Sequence, residues 1–516
     1  MSIKRYFATA DNTISNAFDE SLVSKNSATG SNMGASDILE TFSLYGQVSS
    51  STTGVSSELS RIIIKFNTAK IASDRAAGLI PASGNVSFYL NLYNARHSST
   101  LPENYDLLIN AVSGNWQEGT GLDMVNYTDQ TLDLTGSSWV NARASGTLSP
   151  ADNGKWSSTG GDYYGSPTFT QTFYEGYEDL NVDVTLLVEQ WLAGTKVNDG
   201  FGIRFTDSFE NAKRSYYTKK FFARGSEFFF KRPTIEARWN STRKDNRGDF
   251  YFSSSLAPAS DNLNTIYLYN VIRGRLRNIP SIGEDTIRVS IFSGSSANTA
   301  PDENPLRLSP DATFVRHAAP LVVTGGYVST GVYSASFAFT GSTSIDTIYD
   351  VWFSGSDAVS HAAASNLQFA TGSIKTNSFG AEGYISSEKY VISISNLRKQ
   401  YGPTEKARFK LYARPKSWSP TIYSVAKDKP ENTNIQSASY EIFRVSDNLK
   451  IVPFGTGSDL HTLLSCDVSG NYFDFDMSNL ESGYSYGIRF SFYDEATSNW
   501  NDQPYEFRFK VRQNEY

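Results

Sequence analysis

Two groups of carboxylates have spacings that acid–base chemistry could use: Asp474 with Asp476, and Glu175 with Glu178 and Asp179. Glycoside cleavage requires two carboxyls held a fixed distance apart. Asp474 and Asp476 alternate with Phe473, Phe475 and Met477, so a strand projects both acids to one face, and exposed Asp is the rule. The second group precedes a helical run, where acids complement the helix dipole. The sequence names no second carboxylate from elsewhere in the chain to complete either group, and no catalytic residue is assigned. The four histidines (His97, His317, His361, His461) are far apart in sequence, and the single cysteine, Cys466, rules out an intrachain disulfide and a cysteine-based zinc site. Gly119-Thr120-Gly121 is too short for a phosphate loop and lacks the following lysine, so it is expected to be a turn. Arg247-Gly248-Asp249, an adhesion-like tripeptide, is expected to be linker.

The strongest concentration of charge is Arg204 to Arg247, which holds twelve basic and five acidic residues, a net of +7 in a chain whose total is -7. Aromatics are interleaved with it, among them Phe221, Phe222 and Phe228 to Phe230. Two strands with aromatic cores and basic, solvated faces are the plainest expectation. A contact surface for an acidic partner protein is the functional one, and its candidate residues are Lys213, Arg214, Tyr216, Tyr217, Lys219, Lys220, Arg224, Lys231 and Arg232. Single-strand nucleic-acid platforms share this composition, but nucleic acid is set aside as a partner.

The elements that must position these residues are strands. The chain has 516 residues, of which 14 % are aromatic and 19 % charged, and its length suits three to four domains. Val86, Phe88, Leu90 and Leu92 alternate with polar or mixed residues, as do Tyr486, Ile488, Phe490 and Phe492, and Tyr505, Phe507, Phe509 and Val511. Gly/Ser/Asn clusters such as Gly294 to Asn298 and Gly341 to Ser344 supply turns. The fold class is therefore all-β, in tandem antiparallel β-sandwiches. One run departs: Val184, Leu187, Val188, Trp191 and Leu192 have the i, i+3, i+4, i+7, i+8 spacing of a short amphipathic helix, about 183–194, with Asp183 as N-cap and Gly194 as stop. Trp191 is expected to be structural. The polar stretch Asn240 to Asp249 and the Gly/Ser-rich stretch Thr371 to Glu388 mark boundaries, giving units 1–240, 241–385 and 386–516.

In the N-terminal unit, Asp11-Asn12-Thr13-Ile14-Ser15, Asn32-Met33-Gly34, Arg61 to Phe66, Trp116-Gln117-Glu118-Gly119-Thr120-Gly121, the helix around Trp191, Asn198-Asp199-Gly200-Phe201 and Arg232-Pro233 occur in the order of the DNRLRE-type β-sandwich domain, which residues 3 to 240 resemble. The stretch Met124 to Tyr174 fits that pattern less well. The resemblance implies an accessory module for packing or binding, without chemistry of its own. Leu480 to Tyr486 has the spacing of the tyrosine corner of immunoglobulin-like and fibronectin-type sandwiches, with Tyr486 as the hydroxyl donor. The C-terminal unit is similar to sandwiches in virion proteins of contractile-tailed marine phages, and the middle unit, with Ile287 to Ser293 and Ile348 to Ser354, resembles them in kind.

These resemblances imply a non-enzymatic virion structural protein of a tailed bacteriophage, an accessory or connecting part of the collar, neck or tail. It would be made in the host cytoplasm, since Met1 to Ala10 lacks an apolar stretch of signal-peptide length. Its partners would be other virion proteins and further copies of itself, with no cofactor, metal or membrane contact. The alternative is a carbohydrate-binding adhesive appendage, a fibre or capsid decoration, which would use exposed aromatics of the N-terminal sandwich. A polysaccharide-cleaving enzyme would require carboxylates converging in a cleft.

Overall fold

Strand alternation of the kind seen in Val86 to Leu92 dominates the fold: the chain is all-β, and among the described residues 48 % lie in strands and 9 % in helices. The computed structural model describes residues 2–17, 31–45, 57–97, 101–122, 136–143, 154–212, 214–255, 257–294, 301–309, 320–339, 345–356, 360, 362, 364, 366–377, 388–419, 421–422 and 432–513. Two compact units result. One holds Ser2–Asn240 with Gly457–His461, the other Ser241–Thr456 with Thr462–Tyr516.

The first unit contains β1 (Ile3–Ser15), β2 (Ile38–Tyr45), β3 (Ser57–Phe66), α1 (Thr68–Ala76), β4 (Ser87–Leu92), β5 (Tyr105–Val112), β6 (Tyr163–Phe173), β7 (Leu180–Asp183), α2 (Thr185–Leu192), β8 (Phe201–Phe205), β9 (Tyr216–Phe222) and β10 (Thr234–Arg238). The sheet runs β6-β5-β8-β3-β1-β10-β4-β7, with β2 joining β3 to β9. β1 serves two partners: Ile3 to Phe7 pair with β10, and from Ala8 onward the strand pairs with β3, with a register shift between Ala8 and Ala10. The isoleucine run of β3 is buried on both faces. Ile62 and Ile64 enter the main core with Phe88, Leu90 and Phe201, whereas Ile63 enters a smaller core with Trp116, Trp139 and Trp156. Between the end strands β6 and β7, the Gln171 carboxamide donates to Asp179 O and accepts from Asn181 N, both at 2.8 Å.

The expected helix is α2. Leu187, Val188 and Trp191 are buried, and the Trp191 ring meets Phe201 edge-on with centroids 4.8 Å apart. The N-cap is Val184 and not the expected Asp183, whose carboxylate accepts from Thr185 N (2.9 Å) from one residue earlier, and Gly194 takes φ +71° just past the helix end. Arg75 of α1 grips Glu189 of α2 through two hydrogen bonds of 2.9 and 2.6 Å.

The second unit has two sheet systems. In one, Phe250–Tyr251, Gln368–Asn377, Thr347–Phe353, Ile287–Gly294, Val323–Ser329, Val332–Phe339 and Leu263–Tyr269 are neighbours in that order, around Phe337, Phe339 and Trp352. From it extends a separate two-stranded ribbon, Val271–Ile272 with Arg275–Leu276. In the other, a four-stranded sheet around Lys406–Pro415 and Gly470–Asp476 and a six-stranded sheet around Ala438–Arg444 and Ser485–Asp494 enclose stacked aromatics; the Tyr440 and Phe473 rings lie 4.0 Å apart. The Tyr486 hydroxyl donates to Glu481 O at 2.7 Å, at the corner leading into its strand.

Neither stretch expected to mark a boundary is a bare linker, although the first begins where the two compact units divide. Thr371 to Asn377 belong to the strand Gln368–Asn377, paired along Thr347–Phe353, and only 378–387 of that stretch lie outside the described residues. Asn240 to Asp249 is not a bare connector: Lys244 bridges to Cys466, Asn246–Gly248 forms a 3-10 turn, and Asp249 accepts from Gln436 Nε2 (2.7 Å). Polar side chains mark solvated linkers in sequence, but here their hydrogen bonds are made to protein. Most of the turn clusters at 294–298 and 341–344 lies outside the described residues.

Candidate partner-binding surface

The aromatic-basic tract is divided by strand alternation. In β9, Tyr217, Lys219 and Phe221 turn inward while Tyr216 and Phe222 remain at least partly open. Lys219 is fully buried, which corrects its assignment to a surface. Its ammonium donates to Asn94 Oδ1 (2.7 Å), Gly176 O (2.8 Å) and Glu178 O (2.7 Å), so all three of its protons are placed, and it lies 4.8 Å from the Phe173 ring centroid. Burial pushes it down to about 8, against the pull of Glu178 and Asp179. The Glu178 carboxylate in turn accepts from Tyr174 N (2.7 Å) and Glu175 N (2.8 Å), so the 174–179 loop folds around a tethered cation.

Arg224 stays partly open, its side chain 41 % exposed, but its hydrogen bonds are made within the unit. Its Nε and Nη2 reach Glu118 Oε1 at 3.0 and 2.8 Å, and its backbone N–H donates to Asp11 Oδ2 at 2.5 Å. Several segments that carry the family resemblance meet here. Asp11 N donates to Glu118 Oε1 (2.9 Å), Asn12 Oδ1 accepts from Met33 N (3.0 Å), and Asn32 Nδ2 reaches Glu118 O (2.7 Å) and Ser137 O (2.8 Å). Asn32 Oδ1 accepts from Gly34 N and Gly121 N. A Cβ on Gly121 would fall 1.8 Å from Asn32 O, so the Gly119 to Gly121 turn is wrapped tightly on Asn32. Burial raises the Asp11 carboxyl to about 7, opposed by Arg224. These residues form a structural knot.

What remains open is a smaller patch. Arg214 is exposed, and Tyr216, 61 % exposed, stacks on Tyr217 at 4.9 Å. Lys220 lies 3.5 Å from Glu40. Phe229–Lys231 is a 3-10 turn and not strand. It sets the Lys231 ammonium 5.0 Å from the Phe222 ring and 5.6 Å from that of Phe228, which is exposed. Arg232 Nε holds Ser226 O (2.8 Å) and its guanidinium sits 6.0 Å from the Phe229 ring, which touches Phe7. Such cation-braced rings suit carboxylates and apolar side chains of a partner protein. Lys213 lies outside the described residues.

The other sequence candidates are placed as follows. Asp474 takes a two-point hydrogen bond from Arg408 (2.7 and 2.9 Å), and Asp476 caps a 3-10 turn through Ser478 N (3.0 Å). Asp179 Oδ1 accepts from Asn94 N (2.6 Å). Cys466 is buried, and burial pushes its thiol up to about 11. His97 and His461 are both pushed down to about 4, chiefly by burial, and His317 and His361 lie outside the described residues. Among the described residues no cluster of His, Cys, Asp or Glu could hold a metal ion, and no helix is long and apolar enough to cross a membrane. Sequence reasoning missed Asn94, Glu118 and Glu178 as partners. The period of two, which puts Lys219 on the same face as Phe221, was the available signal.

No protein-family model matches the chain, and no curated protein matches it. Among solved structures, it is similar at 8 % identity to the native conformation of Escherichia coli alpha-2-macroglobulin (99 % of this chain, 26 % of that one, TM-score 0.15). It is similar, also at 8 %, to the trypsin-activated form of that protein (88 % and 24 %, TM-score 0.15). A tetra-tandem repeat from the extending region of a large adhesion protein matches at 9 % (97 % and 98 %, TM-score 0.13). The chain spans about a quarter of the length of the alpha-2-macroglobulin structures, and likenesses this weak carry no argument about fold or function.

Proposed function

We propose that this chain is a non-enzymatic virion structural protein of a tailed bacteriophage, an accessory or connecting component of the collar, neck or tail that works by protein–protein assembly. The observation that carries the reading is the open remainder of the aromatic-basic tract, where Lys231 and Arg232 brace Phe222, Phe228 and Phe229 at the surface. The sequence resemblance to phage sandwiches supplies the virion setting. Imaging or labelling of intact particles tests it: the protein is expected at the collar, neck or tail, and purified particles that lack it overturn the proposal.

A second reading, a carbohydrate-binding adhesive appendage, is favoured by the exposed Tyr174 and Tyr177 on the loop that Lys219 and Glu178 hold in place. Saturable binding of host-surface polysaccharide, lost in Tyr174→Ala/Tyr177→Ala, would select it.

A further inference from the structure

The ribbon of the second unit is built as an arm. Its sequence, Asn270 to Asn278, is NVIRGRLRN. Val271 pairs with Leu276 and Ile272 with Arg275. The two residues between, Arg273 and Gly274, have φ +52° and +74°, as the two-residue turn matched to strand twist requires. Paired residues share a face, so one face carries Val271 and Leu276 and the other Ile272 and Arg275. All three apolar side chains are open to solvent: Val271 is 55 % exposed, Ile272 48 % and Leu276 40 %. The guanidiniums of Arg273, Arg275 and Arg277 form no hydrogen bond or ion pair with any described residue, and no acidic residue lies between Asn270 and Asn278.

An isolated two-stranded ribbon is marginal in water, and this one is fastened at its base. Asn270 N donates to Gly331 O (2.8 Å), Gly331 N to Asn278 Oδ1 (2.7 Å), Arg277 N to Asn270 O (3.0 Å) and Asn270 Nδ2 to Arg277 O (2.6 Å). A Cβ at Gly331 would lie 2.5 Å from Arg277 N, so only glycine allows this approach. The ordering entropy of the arm is therefore spent on folding and not on binding.

We propose that the ribbon is a docking arm whose occupant is a second copy of this chain. Charge complementarity selects that occupant: the arm carries +3 and the chain as a whole -7, so the remainder carries -10. Apolar side chains on both faces suit a protein surface, whereas phosphate binding would need the arginines alone. A basic arm on an acidic surface elsewhere is a heterologous contact, which closes into rings or runs on as a helical array. The inference rests on the assembly reading but is tested in solution, without particles.

The test is sedimentation velocity of the full chain over a concentration series, at low and high salt. Concentration-dependent association is expected at low salt, weakened by high salt, and reduced about tenfold or more in Arg273→Glu/Arg275→Glu/Arg277→Glu and in Val271→Ser/Leu276→Ser. The second variant keeps the charges, so it remains informative if the first fails to fold. A wild-type chain that stays monomeric throughout overturns the proposal, as does association unchanged in both variants. Arm-dependent binding of duplex DNA or of anionic vesicles without self-association overturns it as well. Each of these outcomes leaves particle localisation free to decide the virion reading separately.

Discussion

The Arg247 guanidinium meets the Asp350 carboxylate end-on, Nη1 to Oδ1 at 2.6 Å and Nη2 to Oδ2 at 2.5 Å, where Asp350 is fully buried. Trp352 Nε1 donates to the same carboxylate at 2.6 Å. The adhesion-like tripeptide thus has its arginine enclosed, and Asp249 is held by Gln436. Removing one member of a buried pair strands the other charge, so Arg247→Ala is expected to destabilise the second unit by about 3 kcal/mol or more. Urea unfolding followed by near-ultraviolet circular dichroism measures this; a loss below about 1 kcal/mol would show the pair to be dispensable.

Lys219 sets a pH dependence. Folded, it titrates at about 8, whereas in the unfolded chain it titrates near 10.4. Between these values the unfolded chain binds the extra proton, so stability rises with pH from about 8 to about 10, by up to about 1.4 kcal/mol per pH unit. As pH falls through about 8 that contribution is lost. Lys219→Met is expected to remove the slope and to cost about 3 kcal/mol at pH 7 by orphaning the Gly176 and Glu178 carbonyls. Denaturant titrations of both proteins at stepped pH check it; parallel curves would refute the assignment.

Asn32 ties four backbone groups, Glu118 O, Ser137 O, Gly34 N and Gly121 N. Asn32→Ala leaves these buried groups without that partner, with an expected cost of about 3 kcal/mol. Asn32→Asp keeps the acceptor and loses the donor, so it should be intermediate. Thermal unfolding of the three proteins orders them, and an unchanged midpoint in Asn32→Ala contradicts the structural role of the knot.

The alternation of Phe88, Leu90 and Leu92, the helical spacing around Trp191 and the corner spacing at Tyr486 are local patterns, and local patterns are legible in a sequence. Lys219 is misplaced by a reading that puts charge above strand face, although the period of two sets it on the same face as Phe221. Arg224 and Arg247 were beyond such reading: their carboxylates, Glu118 and Asp350, are about a hundred residues away, and no spacing rule reports a pairing that only the sheet order creates. The ribbon at Val271 to Leu276 hid for another reason, since its turn is Arg-Gly in place of the usual Asn-Gly or Asp-Gly.

Gln171 bears on how this fold guards a sheet edge. β6 and β7 end their sheet path, and strand ends of this kind invite a foreign backbone to add itself. A carboxamide has the donor and acceptor of one peptide group, and Gln171 spends both on Asn181 N–H and Asp179 C=O. An incoming strand finds those two groups already taken, which denies it one template for amyloid-like stacking. At this edge a main-chain ladder cannot start from those two groups, so only side chains there are left to meet another surface.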